Sequence, residues 1–411
     1  RQAGARQAES PTRPFRPQPM TTSHFQPLHA ALQAQVQRGF LPGVSTALLG
    51  GREGVDRCVW DDAGIQASTP LREDHLFRGF SNTKLVTSCA VLLLVEQGLL
   101  TLDDPIERYL PELGQRQVLR PGASNLADVE PARQPITVRH LMTHTAGLSY
   151  GLFNPGALLN DAYRQARVHR PTLSNAQLVS ELAALPLAFH PGEQWEYSLA
   201  TDVLGRLIEV TSGETLGRFF SRRIFEPLDM VDTAFVLNDE QDRRLATLYA
   251  GADRADPTVP GLQRLDDVPY PGAYRTPGMR EAGGGGLISS LADTVRLLQA
   301  LMPGGPTLLK AETLADMARN HLAPGLCVRF PDAPVNPGRV FGLGSAVLAQ
   351  PGPLDPPGAA GEVNWGGMAG TLWWINPRLG IAGVLMTQRY LGFGDPYAVE
   401  FKRLAYQALG H

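Results

Sequence analysis

A serine and a lysine three residues apart, Ser81-Asn-Thr-Lys84, stand at the mouth of LVTSCAVLLLVEQGLL, a stretch that is apolar on nearly every side. Such a stretch reads as a helix buried all round, and lysine is almost never fully buried without a partner. Residues i and i+3 share a helix face, so this spacing lets Lys84 Nζ approach Ser81 Oγ. A helix start also offers unpaired N–H groups and a positive dipole end, which suit a developing oxyanion. Burial disfavours a charged amine and is expected to lower its pKa. A neutral amine near pH 7 takes the serine proton and leaves a nucleophile. The same letters also fit a serine-capped helix with an incidental lysine. Composition argues against that reading: of 37 basic residues only Lys84, Lys310 and Lys402 are lysine. Where charge alone is needed the chain uses arginine, which does not give up its proton in a protein. Lys310 and Lys402 lie in polar, helical-looking surroundings, and no chemistry is expected of them.

Three other stretches compete for attention. Gly147-Leu-Ser-Tyr-Gly151 fits the G-x-S-x-G nucleophile elbow, which requires a strand before the serine and a helix after it. Here VRHLMTHTA precedes and LFNPGALLN follows, so Ser149 reads as part of an ordinary turn. His140-Leu-Met-Thr-His144 places two imidazoles one turn apart. Leu141 stands where a zinc protease has its glutamate, so capping and packing are expected and no metal site. The glycines at 283–286 lack the G-K-[ST] ending of a phosphate loop and read as a flexible or closely packed turn.

The elements that must position these residues follow from periodicity. A helix is predicted over 28–37, strands over 44–50 and 55–60, and then the Ser81 helix. Apolar spacings of three and four run from 137 to about 230. Residues 248–277, rich in Gly, Pro and Asp, read as a long loop. A glycine hinge and a helix ending at Pro303-Gly304 come next, followed by strands in FGLGSAVLAQ, GGMAGTLWWI and IAGVLMTQ and a closing helix YAVEFKRLAYQAL. Strands therefore gather at the two ends of the chain. The expected fold is α+β, an α/β sandwich in which one antiparallel sheet built from both ends is flanked by helices, with a mostly helical lobe inserted. The corresponding division is 1–19 as a disordered leader, 20–85 with 285–411 as the discontinuous α/β domain, and 86–284 as the helical domain.

With 411 residues, 43% hydrophobic and 19% charged, the chain can bury a sizeable core. A net charge of −3 gives no reason to expect nucleic acid or an anionic membrane as partner. No apolar run reaches the length of a membrane span. Cys58, Cys89 and Cys327 are too few and too scattered for a disulfide framework and are expected as buried thiols. The Arg- and Pro-rich opening lacks the apolar segment of a secretory signal, which gives a cytoplasmic expectation.

Ser81-x-x-Lys84 resembles the active-site motif of the serine β-lactamase and penicillin-binding protein superfamily, whose fold matches the architecture expected above. WEYSLATDVLGRLIEVTSG puts Tyr197 where that superfamily has its second motif, and NWGGMAGTLWWINPRLGIAGVLMTQ puts Trp365-Gly366-Gly367 where it has a Lys-Thr-Gly or His-x-Gly triplet. Within it the chain is most similar to the family VIII carboxylesterases, which are class C-like hydrolases of esters. The resemblance implies Ser81, Lys84 and Tyr197 as catalytic residues and the backbone N–H groups of Ser81 and Met368 as the oxyanion hole. It further implies Trp365, Gly366, Gly367 and Tyr150 as substrate-binding residues, a small-molecule ester as substrate, and neither metal nor cofactor. Two departures bear on the substrate. Leu199 replaces the asparagine that binds an acylamino side chain in class C enzymes, and Trp365 replaces the lysine that meets the substrate carboxylate. The expectation is an esterase for short to medium acyl chains with at most weak β-lactamase action. A β-lactamase, a D-stereospecific peptidase or amide hydrolase, an acyltransferase and a non-catalytic penicillin-binding sensor stand as alternatives.

Overall fold

The computed structural model describes residues 22–61, 70–331 and 333–411; the leader expected at 1–19 lies outside the described residues. The chain enters through helix α1 (Gln26–Gln37), the strands β1 (Gly43–Gly50), β2 (Glu53–Asp61) and β3 (Leu76–Arg78), and the helix α2 (Thr83–Glu96). The middle holds a short ribbon of β4 (Gln117–Leu119) and β5 (Val129–Pro131), then α3 (Val138–Met142), α4 (Leu158–Gln165), α5 (Asn175–Ala183), α6 (Ala200–Ser212), α7 (Leu216–Phe220) and α8 (Asp239–Arg243). Next come β6 (Leu248–Gly251), β7 (Leu262–Leu265), β8 (Ile288–Ser290), α9 (Leu291–Leu301) and α10 (Ala311–Met317). The last part supplies β9 (Arg339–Phe341), β10 (Ala346–Leu348), β11 (Glu362–Gly366), β12 (Leu372–Asn376), β13 (Ile381–Met386), β14 (Arg389–Tyr390) and α11 (Pro396–Ala408).

Seven of these strands form one antiparallel sheet in the order β2-β1-β13-β12-β11-β10-β9, so the two ends of the chain meet at the β1–β13 pairing as expected. Alternate side chains of a strand face opposite ways, and both faces are covered here. Val44, Leu48, Trp374 and Leu385 pack under α1 and α11 with Leu28, Leu32, Phe401 and Tyr406. Ala47, Leu49, Trp373, Val384 and Met386 face the other way, into the large core shared with α2, α6 and α9. A strand buried on both faces is mostly apolar and holds no charge, which is why GVSTALLG and IAGVLM lack alternation.

Two elements depart from the sequence reading. Residues 248–277, expected as a loop, carry β6 and β7, which pair with each other, and β14 adds to β6 in parallel. These strands are too short and too closely flanked by Gly and Pro to show a period, and they form because neighbouring edges receive them. Ser81 lies not in α2 but in a separate 3-10 turn, Phe80–Asn82, which leads into it. Among the described residues no helix is long and apolar enough to cross a membrane. The three cysteines are buried and free, as expected.

Candidate active site

Helix α2 is buried along its length from Thr83 to Leu94, and Lys84 is only 1% exposed. In a 3-10 turn residues i and i+3 eclipse, so the turn at Ser81 brings the two side chains together at least as closely as an α-helix would. Lys84 Nζ donates to Ser81 Oγ at 3.1 Å, to the Gly284 carbonyl at 2.7 Å and to Tyr150 Oη at 3.5 Å. Three acceptors around one nitrogen match the three N–H bonds of an ammonium.

That arrangement reverses the expected direction of the Lys84 pKa shift. Burial is the largest single influence on Lys84 and pushes its pKa down as anticipated. Tyr150, Tyr197 and Asp202, each able to carry negative charge, push it up, and the balance lies above the ordinary lysine value. The sequence reading counted the hydrocarbon around Lys84 but not the acidic groups folded against its tip. A raised pKa favours the ammonium form of Lys84, and Tyr197 is the other group within hydrogen-bond distance of Ser81 Oγ.

Tyr197 comes from the residues just before α6 and is 6% exposed. Its hydroxyl donates to Ser81 Oγ at 2.6 Å, and Lys84 Nζ lies 4.7 Å from its ring centre. The ring is held on several sides, by His144 at 5.0 Å, Tyr150 at 5.1 Å and Trp365 at 5.2 Å between centroids. The indole N–H of Trp365 donates to the Tyr197 oxygen at 3.3 Å. Trp365, expected as a wall for substrate, is thus turned towards the tyrosine. Burial and the nearby Lys84 cation hold His144 well below the usual imidazole range, so it is neutral, and it pairs with Ser198 Oγ at 3.0 Å. Burial pushes Tyr150 up to about 12, with Lys84 pulling the other way.

The ground around Ser81 fits a site for a developing anion. Phe80, immediately before it, has φ 42°, a strained left-handed conformation for a bulky residue. The first bond of the turn runs from Asn82 N–H to the Gly79 carbonyl, one residue beyond the Ser81 N–H. Met368 N–H meets no backbone carbonyl among the described residues. Gly367 brings its strand against the turn: a side-chain carbon there would collide with the Gly79 carbonyl oxygen. The two N–H groups assigned to the oxyanion hole therefore lie on segments in direct contact.

The other expected residues fall elsewhere. Ser149 is buried in a turn between two left-handed glycines, Gly147 (φ 86°) and Gly151 (φ 79°), with its N–H donating to Tyr163 Oη at 3.3 Å. What that turn delivers to the site is the next residue, Tyr150. His140 caps α3, accepting from Thr137 N–H at 3.1 Å. Leu199 is 2% exposed and belongs to the core. Two participants were missed from sequence, Gly284 and Asp202. The glycine run is a closely packed turn whose Gly284 carbonyl binds Lys84, while Gly284 N–H donates to Asp202 Oδ1 at 3.3 Å. Its one visible signal was four glycines in a row.

The profile of the beta-lactamase family matches residues 28–407. The chain belongs to the beta-lactamase family, and it is a serine hydrolase of that fold. It is 34% identical to esterase EstB of Burkholderia gladioli over 359 residues, covering 84% of this chain and 85% of that one. It is 31% identical to a lovastatin esterase of Penicillium rubens, with 81% and 84% covered. Among solved structures, EstCE1, described as a hydrolase with promiscuous acyltransferase activity, superposes with a TM-score of 0.78 at 25% identity over 93% of this chain and 98% of that one.

Proposed function

We propose that the protein is a carboxylesterase that works through an acyl-enzyme on Ser81 and takes esters of short to medium acyl chains. The observation that carries this reading is the meeting of three side chains: Ser81 Oγ lies 2.6 Å from the Tyr197 oxygen and 3.1 Å from the Lys84 cation. Tyr197, as a phenolate stabilised by that cation, takes the proton of Ser81 as Oγ forms its bond to the ester carbonyl carbon. The carbonyl oxygen becomes an oxyanion facing the N–H groups of Ser81 and Met368, and such donors contribute several kcal/mol to lowering a barrier of this kind. Collapse breaks the C–O bond to the alcohol, which receives its proton from Tyr197. Water then gives a proton to Tyr197 and adds to the acyl carbon. The second collapse frees the acid, and the proton returns to Ser81. Lys84 keeps its charge throughout.

An aromatic lining of Tyr150, Phe153, Phe330 and Trp365 suits uncharged acyl and alcohol groups. A second reading, acyl transfer to an alcohol in place of water, is favoured by the relatives: an acyltransferase of Penicillium decumbens, calJ, is 31% identical over 361 residues. Intact-mass measurement after exposure to an aryl phosphonate tests the common step; an adduct that disappears in Ser81→Ala is expected, and an unmodified protein refutes it. A panel of nitrophenyl esters, cephalosporins and D-amino-acid amides, each with and without a competing alcohol, separates esterase from transferase, β-lactamase and amidase. Labelling without turnover on any of them identifies a sensor.

A further inference from the structure

Arg339 is half-buried at the start of β9 and forms no ion pair with a carboxylate among the described residues. Its Nε is buried without a hydrogen-bond partner, and its guanidinium carbon lies 5.5 Å over the ring of Trp365. An arginine placed so is costly unless something recovers the lost hydration. The face of an indole does so, and best where water is excluded.

The contacts continue in both directions. Trp365 passes its N–H to the Tyr197 oxygen, which in turn lies on Ser81 Oγ. Behind the arginine, Nη2 donates to Asn364 Oδ1 at 3.3 Å, and Asn364 Nδ2 donates to Glu362 Oε1 at 2.8 Å. Glu362 is fully buried and is held by Lys402 at 3.1 Å and by Tyr406 Oη at 2.7 Å, both from α11. Glu362 is thereby held from the helix side; with Asp355 it favours the Arg339 charge from a distance, while the indole is the ring the guanidinium lies against.

We propose that Arg339 is a positioning residue, which clamps the Trp365 indole so that its N–H is held on the Tyr197 oxygen. A cation over the ring also draws electron density from the indole and makes its N–H a better donor. The base is thus kept at hydrogen-bond distance from Ser81 by a chain of contacts that runs through the sheet to the terminal helix. This inference rests on the Ser81–Tyr197 reading above and goes beyond it, since Arg339 touches no reacting atom.

The test measures the rate of phosphonate acylation of Ser81, alongside kcat and KM on a nitrophenyl ester. Arg339→Met is expected to slow acylation and kcat about tenfold, the scale of one hydrogen bond weakened at a developing charge, with KM changed less than about twofold. Arg339→Gln, which keeps a donor for Asn364 but no charge, is expected to lose as much, whereas Arg339→Lys is expected to recover most of the rate. In a Trp365→Phe background, where the N–H is already gone, Arg339→Met is expected to cost nothing further. The proposal is overturned if Arg339→Met and Arg339→Gln acylate at the parent rate, if lysine rescues no better than methionine, or if the loss is as large without the indole. A parent protein that takes no phosphonate refutes the Ser81 reading itself, which is a different result from a labelled parent with an indifferent Arg339.

Discussion

Lys84→Met isolates what the buried cation contributes. Methionine fills a similar volume, so the apolar surroundings of α2 are kept while three N–H donors and one charge are removed. Lys84 Nζ lies 4.7 Å from the centre of the Tyr197 ring. At an effective dielectric of about 20, a unit charge at that distance stabilises an anion by about 3.5 kcal/mol. If Tyr197 must be anionic to take the Ser81 proton, losing that stabilisation slows acylation by about 400-fold. Lys84→Arg is expected to fall nearly as far although it keeps the charge. The acceptors at Ser81, Gly284 and Tyr150 converge on one point, and a planar fork cannot meet all three in a closed site. The assay is the rate of phosphonate adduct formation by intact mass, with nitrophenyl ester turnover in parallel and circular dichroism to confirm folding. A folded Lys84→Met protein that acylates at more than about a tenth of the parent rate would refute the claim that this cation prepares Tyr197.

Ser149→Ala is expected to leave ester turnover within about twofold, because its turn serves to present Tyr150; an inactive, folded variant would return the elbow serine to contention. Gly284→Ala drives a methyl into the Asp202 carboxylate and displaces the carbonyl that binds Lys84. Thermal unfolding should show a loss of about 1–3 kcal/mol together with lowered activity. Gly285→Ala, whose added carbon lies 3.8 Å from the nearest atom, should be close to neutral, and equal behaviour of the two would refute the packing argument. The Lys84 pKa lies above its ordinary 10.5, so the folded state binds its proton more tightly than the unfolded chain. The resulting stability is complete below that value and is lost as pH rises through the folded pKa. Urea unfolding of the parent and Lys84→Met should therefore differ most near neutral pH and converge at strongly alkaline pH; a gap that widens with pH would contradict this.

Much of the frame was legible because burial writes itself into composition. Strands covered on both faces, such as GVSTALLG, carry no charge and few polar groups and show no alternation, and α2 announced itself by having almost no polar side. Ser81 and Lys84, whose side chains meet in the structure, stood out because a lysine beside that helix needed a reason. What escaped depended on partners distant in sequence. Asp202 and Gly284 bear on Lys84 across separations of more than a hundred residues, and nothing in LATD or in a glycine run marks them for that task. The same blindness reversed the direction of the Lys84 pKa, since hydrocarbon is visible in a neighbouring stretch while a carboxylate from α6 is not. The strands β6 and β7 were hidden for a related reason: four residues carry too little pattern, and only the receiving edge makes them strands.

The placement of charge supports the proposed preference for uncharged esters. Its one lysine is saturated by three internal acceptors, so it has no N–H left to offer a substrate carboxylate. At the third motif the residue facing the site is an indole, and its single donor is already engaged by Tyr197. The arginine behind that indole is bound to Asn364 and to the ring face. An anionic penicillin core would therefore lose water on entering and find no free cation at the third motif, a deficit of the kind that an unpaired buried charge brings. An uncharged ester meets no such penalty, and the rings that line the site match its apolar groups. The substitutions at Leu199 and Trp365 thus act in the same direction. One puts a core leucine where class C enzymes have an amide ligand, and the other puts an indole that donates to Tyr197 where they have a substrate-binding cation.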